Sequence, residues 1–105
     1  MIARVWHGVT LQARAKAYVE YLTETGVCDS RATPGNRGVY VLSRTEPDMA
    51  HFLFISLWES MQAIESFAGP EIEKARYYPA DREFLIELEP TVSHYEVCVQ
   101  ELPVG

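Results

Sequence analysis

Arg4 and Trp6 are the two side chains of this sequence best suited to binding an aromatic molecule together. They lie two residues apart in the alternating segment from Ile2 to His7, and a strand there would place both on one face. A cation beside a large ring can hold an aromatic ligand that acquires negative charge. Arg4 could equally form an ion pair with an acidic neighbour on another strand.

Two histidines are candidate bases, because imidazole titrates near neutral pH. His7 closes the first predicted strand, and His94 lies in the last one, where Glu96 shares its face. The plainer alternative is that each histidine satisfies a local hydrogen bond. These histidines and His51 lack metal-ligand spacing, and no Gly-rich phosphate loop is present, so we predict neither a metal site nor a cofactor.

Other large aromatic side chains could line a pocket beside Arg4, namely Trp6, Trp58, Tyr77 and Tyr78. A tryptophan at the end of a buried strand more often belongs to the core, which is the alternative for Trp58. Tyr77 and Tyr78 precede Pro79 and could instead close the end of a helix. An acidic run most simply forms a solvated face, and its members are Asp81, Glu83, Glu87 and Glu89.

The composition predicts one globular domain over residues 1–105. With 105 residues and 48% hydrophobic content, the chain can bury a core but has no room for a second domain. Its net charge of -6 opposes phosphate binding, so no nucleic-acid partner is expected. No apolar run reaches membrane-spanning length and no signal peptide is recognisable, which predicts a cytoplasmic protein with no membrane partner. Cys28 and Cys98 should be reduced there.

The first third of the chain predicts a strand, a helix and a loop. Ile2–His7 is the strand, and Thr10 can cap a helix from about Leu11 to Thr25. Gly26 is suited to the left-handed stop of that helix, and a turn-rich loop follows from Val27 to Arg37. The apolar stripe of the helix is Leu11, Ala15, Tyr18 and Leu22.

The middle of the chain predicts a β-hairpin and a second helix. Gly38–Arg44 and His51–Trp58 are its strands, joined by the turn Glu46-Pro47-Asp48. The second strand is apolar on both faces, so both faces of its sheet must be covered. Ser60 is the predicted cap of the following helix, whose apolar face carries Met61, Ile64 and Phe67 or Ala68.

The last third predicts a short helix and a final strand. Pro70 is suited to the first position of a helix over Glu71–Arg76. Between Ala80 and Glu89 the apolar group Phe84-Leu85-Ile86 fits either a helical turn or an edge strand. Thr91–Gln100 alternates like a strand.

This order of elements predicts an α+β fold of the ferredoxin-like, split βαβ type: an antiparallel sheet with both helices on one face. The other face keeps bulky apolar side chains, and a large exposed apolar sheet is normally an interaction surface. A two-fold contact covers it with one patch used twice, so we expect a homodimer formed sheet to sheet.

The chain resembles the antibiotic biosynthesis monooxygenase superfamily of dimeric α+β barrel proteins, and the resemblance covers nearly its whole length. It is similar above all to an uncharacterised subgroup, and implies a homodimer with a pocket between the sheet and helices of each subunit. The segments that carry it are Ile2–Trp6, Phe52–Ser60, Phe67–Gly69 and His94–Val97, with Arg31–Asn36 and Ala75–Pro79 for the subgroup.

Haem-degrading members of this superfamily carry an Asn on the first strand, a Trp in the second helix and a His that ligates iron. By alignment from Trp58, the Trp falls on Phe67, the His on Tyr77, and the Asn near Trp6 or His7. None of the three is kept. Tyrosinate can ligate haem iron, so a haem-binding oxygenase with Tyr77 as ligand stays an alternative.

Cofactor-independent members of the superfamily oxygenate phenols or quinols that give electrons to oxygen once deprotonated. For this chain the resemblance implies His7 or His94 as the base and Arg4 as the group that holds the phenolate. The other alternative is a dimeric ligand-binding or structural module without catalysis, since fold alone does not decide function. The implied substrate contacts are Trp6, Trp58, Phe67, Tyr77 and Tyr78.

Overall fold

A four-stranded antiparallel sheet forms the frame of the protein in the computed structural model, which describes residues 1–104. The strands occur in the order β2-β3-β1-β4 across the sheet, and every neighbouring pair is antiparallel. This is the ferredoxin-like arrangement, so the predicted α+β fold class is confirmed. The strands are β1 (Ile2–Leu11), β2 (Asn36–Thr45), β3 (Met49–Trp58) and β4 (Ser93–Glu96).

The helices cover one face of this sheet. On that face β1 and β3 present Trp6 opposite Phe54, and both side chains are buried with Tyr18 and Leu22 of the first helix. No helix within residues 1–104 is long and apolar enough to cross a membrane. The helices are α1 (Ala15–Leu22), α2 (Cys28–Ala32), α3 (Met61–Ala68) and α4 (Asp81–Phe84), with a 3-10 turn at Gln12–Arg14 and a π turn at Thr23–Val27.

The first helical segment begins later and ends later than predicted. Thr10 is not a cap, because β1 extends through it and its hydroxyl donates to the Leu11 carbonyl at 2.9 Å. Gly26 does not stop the helix either. A Cβ atom at position 26 would lie 3.1 Å from the Phe54 ring, so glycine allows the helix to approach the sheet closely. Helical geometry therefore continues into α2, where a loop was predicted.

The helix predicted over Glu71–Arg76 is wrong. Its backbone bonds to a distant segment instead: the Ala75 N–H donates to the Pro90 carbonyl at 3.0 Å, and the Val92 N–H donates to the Glu73 carbonyl at 2.9 Å. These long-range bonds compete with the local helical ones, so residues 71–74 form only a single turn and residues 73–75 lie along residues 90–92.

Both alternatives for residues 80–89 occur in succession. α4 is a single helical turn, and Leu85 then forms an isolated bridge with Thr10 of β1. The predicted final strand is shorter than expected, because β4 pairs with β1 only over Ser93–Glu96. The cap of α3 is confirmed, since the Ser60 hydroxyl accepts from the Ala63 N–H at 3.1 Å.

Candidate functional site

A pocket opens between the sheet and the helices. The space between its walls, open mouth included, is about 490 Å³, but its enclosed interior is only about 50 Å³. That interior holds a few water molecules, so the ring of a ligand would also fill part of the open mouth. Six aromatic rings line it, those of Trp6, Tyr18, Phe54, Phe67, Tyr77 and Tyr78.

Trp6 and Tyr77 form a fixed corner of this pocket. The Trp6 indole N–H donates to the Tyr77 hydroxyl at 3.1 Å, and that hydroxyl donates to the Glu89 carbonyl at 2.5 Å. Gly8 makes room for the indole, since a Cβ atom at position 8 would lie 2.1 Å from the Trp6 ring. Burial raises the pKa of the Tyr77 hydroxyl, so this group stays protonated and is occupied on both sides.

Arg4 is a buried cation on the pocket wall. Its side chain donates to the Ile72 carbonyl through Nη1 and to the Lys74 carbonyl through Nη2 at 2.8 Å. No carboxylate lies within ion-pair distance of it among residues 1–104. Burial lowers the pKa of Arg4 to about 10, which leaves it charged at neutral pH. The predicted alternative of an acidic partner for Arg4 is therefore not what the structure shows.

His94 lies behind Arg4 rather than on the pocket wall. Its Nε2 accepts from Arg4 Nη1 at 3.1 Å, because a guanidinium can only donate. Burial and the Arg4 charge lower the pKa of His94, which keeps the imidazole neutral. Since its free lone pair is used on Arg4, His94 is placed to position the guanidinium, not to receive a proton from a ligand.

This contact predicts an acid-sensitive stability. His94 has a folded-state pKa below the unfolded value of about 6.5. Its contribution is therefore complete above pH 6.5 and is lost as the pH falls through the folded-state pKa. Urea unfolding between pH 8 and pH 5 should show a smaller acid loss for His94→Gln, whose amide oxygen still accepts from Arg4, than for the wild type. Equal losses in both proteins would contradict this role.

His7 is on the opposite face of the sheet, which corrects its predicted place in the pocket. Neighbouring strand residues point to opposite faces, so a face that presents Trp6 to the helices turns His7 away from them. His7 contacts Glu89 and His51 instead, at 2.5 and 3.3 Å.

Trp58 is also absent from the pocket wall. Its side chain is fully buried in a second apolar cluster with Ala63 and Ile64, and its indole N–H donates to the Ser56 hydroxyl at 2.8 Å. Phe67 lies between the two regions, 5.5 Å from Trp58 ring to ring, and does line the pocket. Trp58 therefore packs against Phe67 and does not line the pocket as predicted.

Asp81 and Tyr18 line the pocket but were not predicted as site residues from the sequence. The Asp81 carboxylate is buried: its Oδ1 accepts from the Tyr18 hydroxyl at 2.9 Å and its Oδ2 from the Tyr78 N–H at 2.6 Å. Burial and the neighbouring Asp81 charge raise the pKa of Tyr18, so its hydroxyl remains a donor. The sequence placed Asp81 in an acidic run; its position two residues after Tyr77-Tyr78-Pro79 was the one signal that it differs.

The mouth of the pocket is held by Arg76. It donates to Asp29 at 3.2 Å and to the Phe67 carbonyl at 2.9 Å, and its guanidinium stacks 5.0 Å from the Tyr78 ring. The Tyr78 hydroxyl also donates to Asp29, at 2.7 Å. These contacts connect α2, the end of α3 and the segment after α3. The narrow interior of the pocket therefore depends on all three elements.

The fold is shared with proteins of known structure. A protein from Bacillus cereus, provisionally named an antibiotic biosynthesis monooxygenase, superposes with a TM-score of 0.68 at 16% identity, covering 97% of each chain. The haem degrader MhuD of Mycobacterium tuberculosis, solved with two haems in its active site, superposes with a TM-score of 0.56 at 21% identity over 100% of both chains. The chain therefore has the fold seen in the antibiotic biosynthesis monooxygenase superfamily.

A variant of MhuD with two manganese protoporphyrins per active site gives a TM-score of 0.57 at 21% identity, covering 100% of this chain and 99% of that one. No protein-family sequence model and no curated protein matches the chain. Because the identities are low, these likenesses define the fold and leave the chemistry to the residues of the pocket.

Those residues do not fit a haem. Tyr77, which the resemblance described above implies at the position of the iron-ligating His, already uses its hydroxyl on Trp6 and Glu89.

Proposed function

We propose that this protein is a member of the antibiotic biosynthesis monooxygenase superfamily that oxygenates a small phenol or hydroquinone without a cofactor. One observation carries the proposal: a narrow aromatic pocket contains a buried cation, Arg4, that has no carboxylate partner among residues 1–104, and a separate buried carboxylate, Asp81. A buried charge is costly unless it is paired, so the pocket is suited to a ligand that supplies an anion to Arg4.

Arg4 and Asp81 have complementary roles in this reaction. Asp81 removes the phenol proton through Tyr18, which passes its own proton to Asp81 Oδ1 and receives the one from the substrate. Arg4 then holds the phenolate in a site of low dielectric constant, where its charge acts strongly. The aromatic wall excludes water from the ring.

The substrate itself supplies the electrons. The phenolate gives one electron to O2, the two radicals combine at a ring carbon, and loss of water from the protonated peroxide leaves a quinone. For a phenol the balance is phenol plus O2 to quinone plus H2O, in which one oxygen atom replaces ring hydrogen and the other becomes water. The four electrons that O2 accepts all come from the ring, so no reductant is required.

Oxygen uptake with a panel of phenols, hydroquinones and naphthols tests this proposal. We expect uptake with formation of the quinone, and a loss of about 10²-fold or more in turnover for Asp81→Asn, which removes the proton acceptor. Glu83→Gln, an exposed residue of the same helical turn, is the matched control and should retain wild-type turnover.

Binding of panel members without oxygen uptake would reject the enzyme and support the non-catalytic ligand-binding module. Full activity of Asp81→Asn would reject Asp81 as the base. Addition of haemin is a separate control. A Soret shift that Tyr77→Phe abolishes would support the haem-binding alternative and contradict the proposed phenol pocket.

We further propose that the protein forms a homodimer through the open sheet face, in the cytoplasm. This face carries large apolar side chains that are strongly exposed in the single chain, and an apolar sheet of this kind is an interaction surface. Both cysteines are free and exposed, as suits a reducing compartment. The exposed apolar side chains of the sheet face include Tyr40, Leu42, Leu53 and Tyr95.

A further inference from the structure

A row of four ionisable side chains crosses the open sheet face, outside the pocket. His7 Nδ1 contacts Glu89 Oε2 at 2.5 Å, and His7 Nε2 contacts His51 Nδ1 at 3.3 Å. His51 Nε2 in turn contacts Glu46 Oε1 at 2.5 Å. We call these four residues the His–Glu row. Its members come from β1, β3, the β2–β3 turn and the segment before β4, so only the tertiary fold brings them together.

The three contacts of the His–Glu row need three protons, but two neutral imidazoles carry only two. Each of its three contacts needs one proton between the two atoms, and a carboxylate provides none. Two neutral imidazoles carry one N–H each. If both N–H groups donate to the carboxylates, two bare lone pairs face each other between His7 and His51. The arrangement is complete only when the pair holds a third proton.

The ring geometry agrees with a shared proton. The two ring centroids are 5.5 Å apart and the rings are inclined by only 26°. That distance is almost the full sum of the 3.3 Å between the facing nitrogens and the two ring radii, so the nitrogens face each other along the line joining the rings. An N–H···N hydrogen bond prefers this straight arrangement.

The third proton also changes the charge of the surface. One more charged group contacts the row: Arg44 of β2 lies opposite His51 and reaches Glu46 at 4.0 Å. With neutral histidines the charges of Glu46, Glu89 and Arg44 add to -1, and one added proton brings the sum to zero. Burying a neutral cluster between two sheets costs less than burying a charged one.

We propose that His7 and His51 bind one proton as a unit, and that this proton favours the pairing of two copies of the chain through the open sheet face. The second half of this inference rests on the homodimer proposed above. Association should therefore strengthen as the pH falls: with the proton bound the row is neutral and connected, and without it two copies would bring two negative clusters together.

Two measurements on the full chain separate the parts of this proposal. Sedimentation equilibrium at pH 6 and pH 8 should give a dimer dissociation constant at least about ten-fold larger at pH 8, equivalent to about 1.4 kcal/mol. His51→Gln can bridge His7 and Glu46 without an extra proton, so it should largely abolish this pH dependence. His94→Gln, on the other face of the sheet, should keep it.

Equal dissociation constants at both pH values, or an unchanged pH dependence in His51→Gln, would overturn the link to association. A chain that is monomeric at every concentration and pH would overturn it as well. Histidine NMR titration then judges the proton site by itself: we expect one proton taken up jointly, with the titration of His7 displaced in His51→Gln. Two independent titrations, each indifferent to loss of the other histidine, would reject the shared proton.

Discussion

Replacement of Arg4 by methionine is expected to lower turnover of a phenolic substrate by about 10²-fold or more, because removal of a preorganised group that stabilises an anion has effects of this size. Methionine fills similar space without charge or hydrogen-bond donors. The same change should weaken binding of an anionic ligand such as nitrophenolate. Fluorescence titration, with the pocket tryptophan Trp6 as reporter, measures this binding directly.

The methyl ether of the same compound is the matched ligand control. Nitroanisole has almost the same shape but cannot carry the negative charge, so Arg4→Met should bind it nearly as well as the wild type does. Arg4→Lys keeps the charge but loses the planar guanidinium that contacts Ile72, Lys74 and His94. Its affinity for nitrophenolate should lie between those of the wild type and Arg4→Met. If Arg4→Met binds nitrophenolate as tightly as the wild type, Arg4 is not the anion site.

Replacement of Leu53 by aspartate is expected to convert a dimer into single chains. Leu53 lies on β3 between His7 of β1 and Leu42 of β2, near the middle of the open sheet face, and is 37% exposed in the single chain. A two-fold contact would bring the new carboxylate of each copy into an apolar interface, where an unpaired charge is costly. Light scattering at micromolar concentration should give the mass of two chains for the wild type and of one for Leu53→Asp.

Val19→Asp is the matched control for this change. Val19 is exposed to a similar degree, at 39%, but lies on α1, on the helical side of the sheet. The Val19→Asp protein should therefore remain dimeric. A wild-type mass equal to one chain would contradict the dimer. A Leu53→Asp protein that still has the mass of two chains would show that the interface does not include the surface around Leu53.

Arg4 and His94 show how the fold converts a general prediction into particular roles. The sequence offered an arginine and two histidines as an anion holder and a base. The structure gives these residues different roles, because the His94 lone pair accepts from Arg4 and His7 points to the other face of the sheet. The carboxylate in the pocket, Asp81, comes from a segment where the sequence indicated only a solvated surface.

Local features that the sequence states directly were predictable from it. Strand alternation placed Arg4 and Trp6 on one face, and the structure has both on the face that carries the helices. The Ser60 cap and the hairpin around Pro47 follow from short-range chemistry, in which a few adjacent residues decide the backbone. The resulting order of elements was enough to predict the ferredoxin-like fold.

Features that depend on distant partners were decided by the tertiary structure alone. Gly26 is a stop signal locally, but the approach of Phe54 makes it part of a continuing helix. Residues 71–76 lose their helix to hydrogen bonds with residues 90–92, and Asp81 is buried because Tyr18 and Tyr78 satisfy both its oxygens. The His–Glu row is assembled from four segments. In each case the deciding free energy comes from contacts between residues far apart in the chain, which local periodicity does not contain.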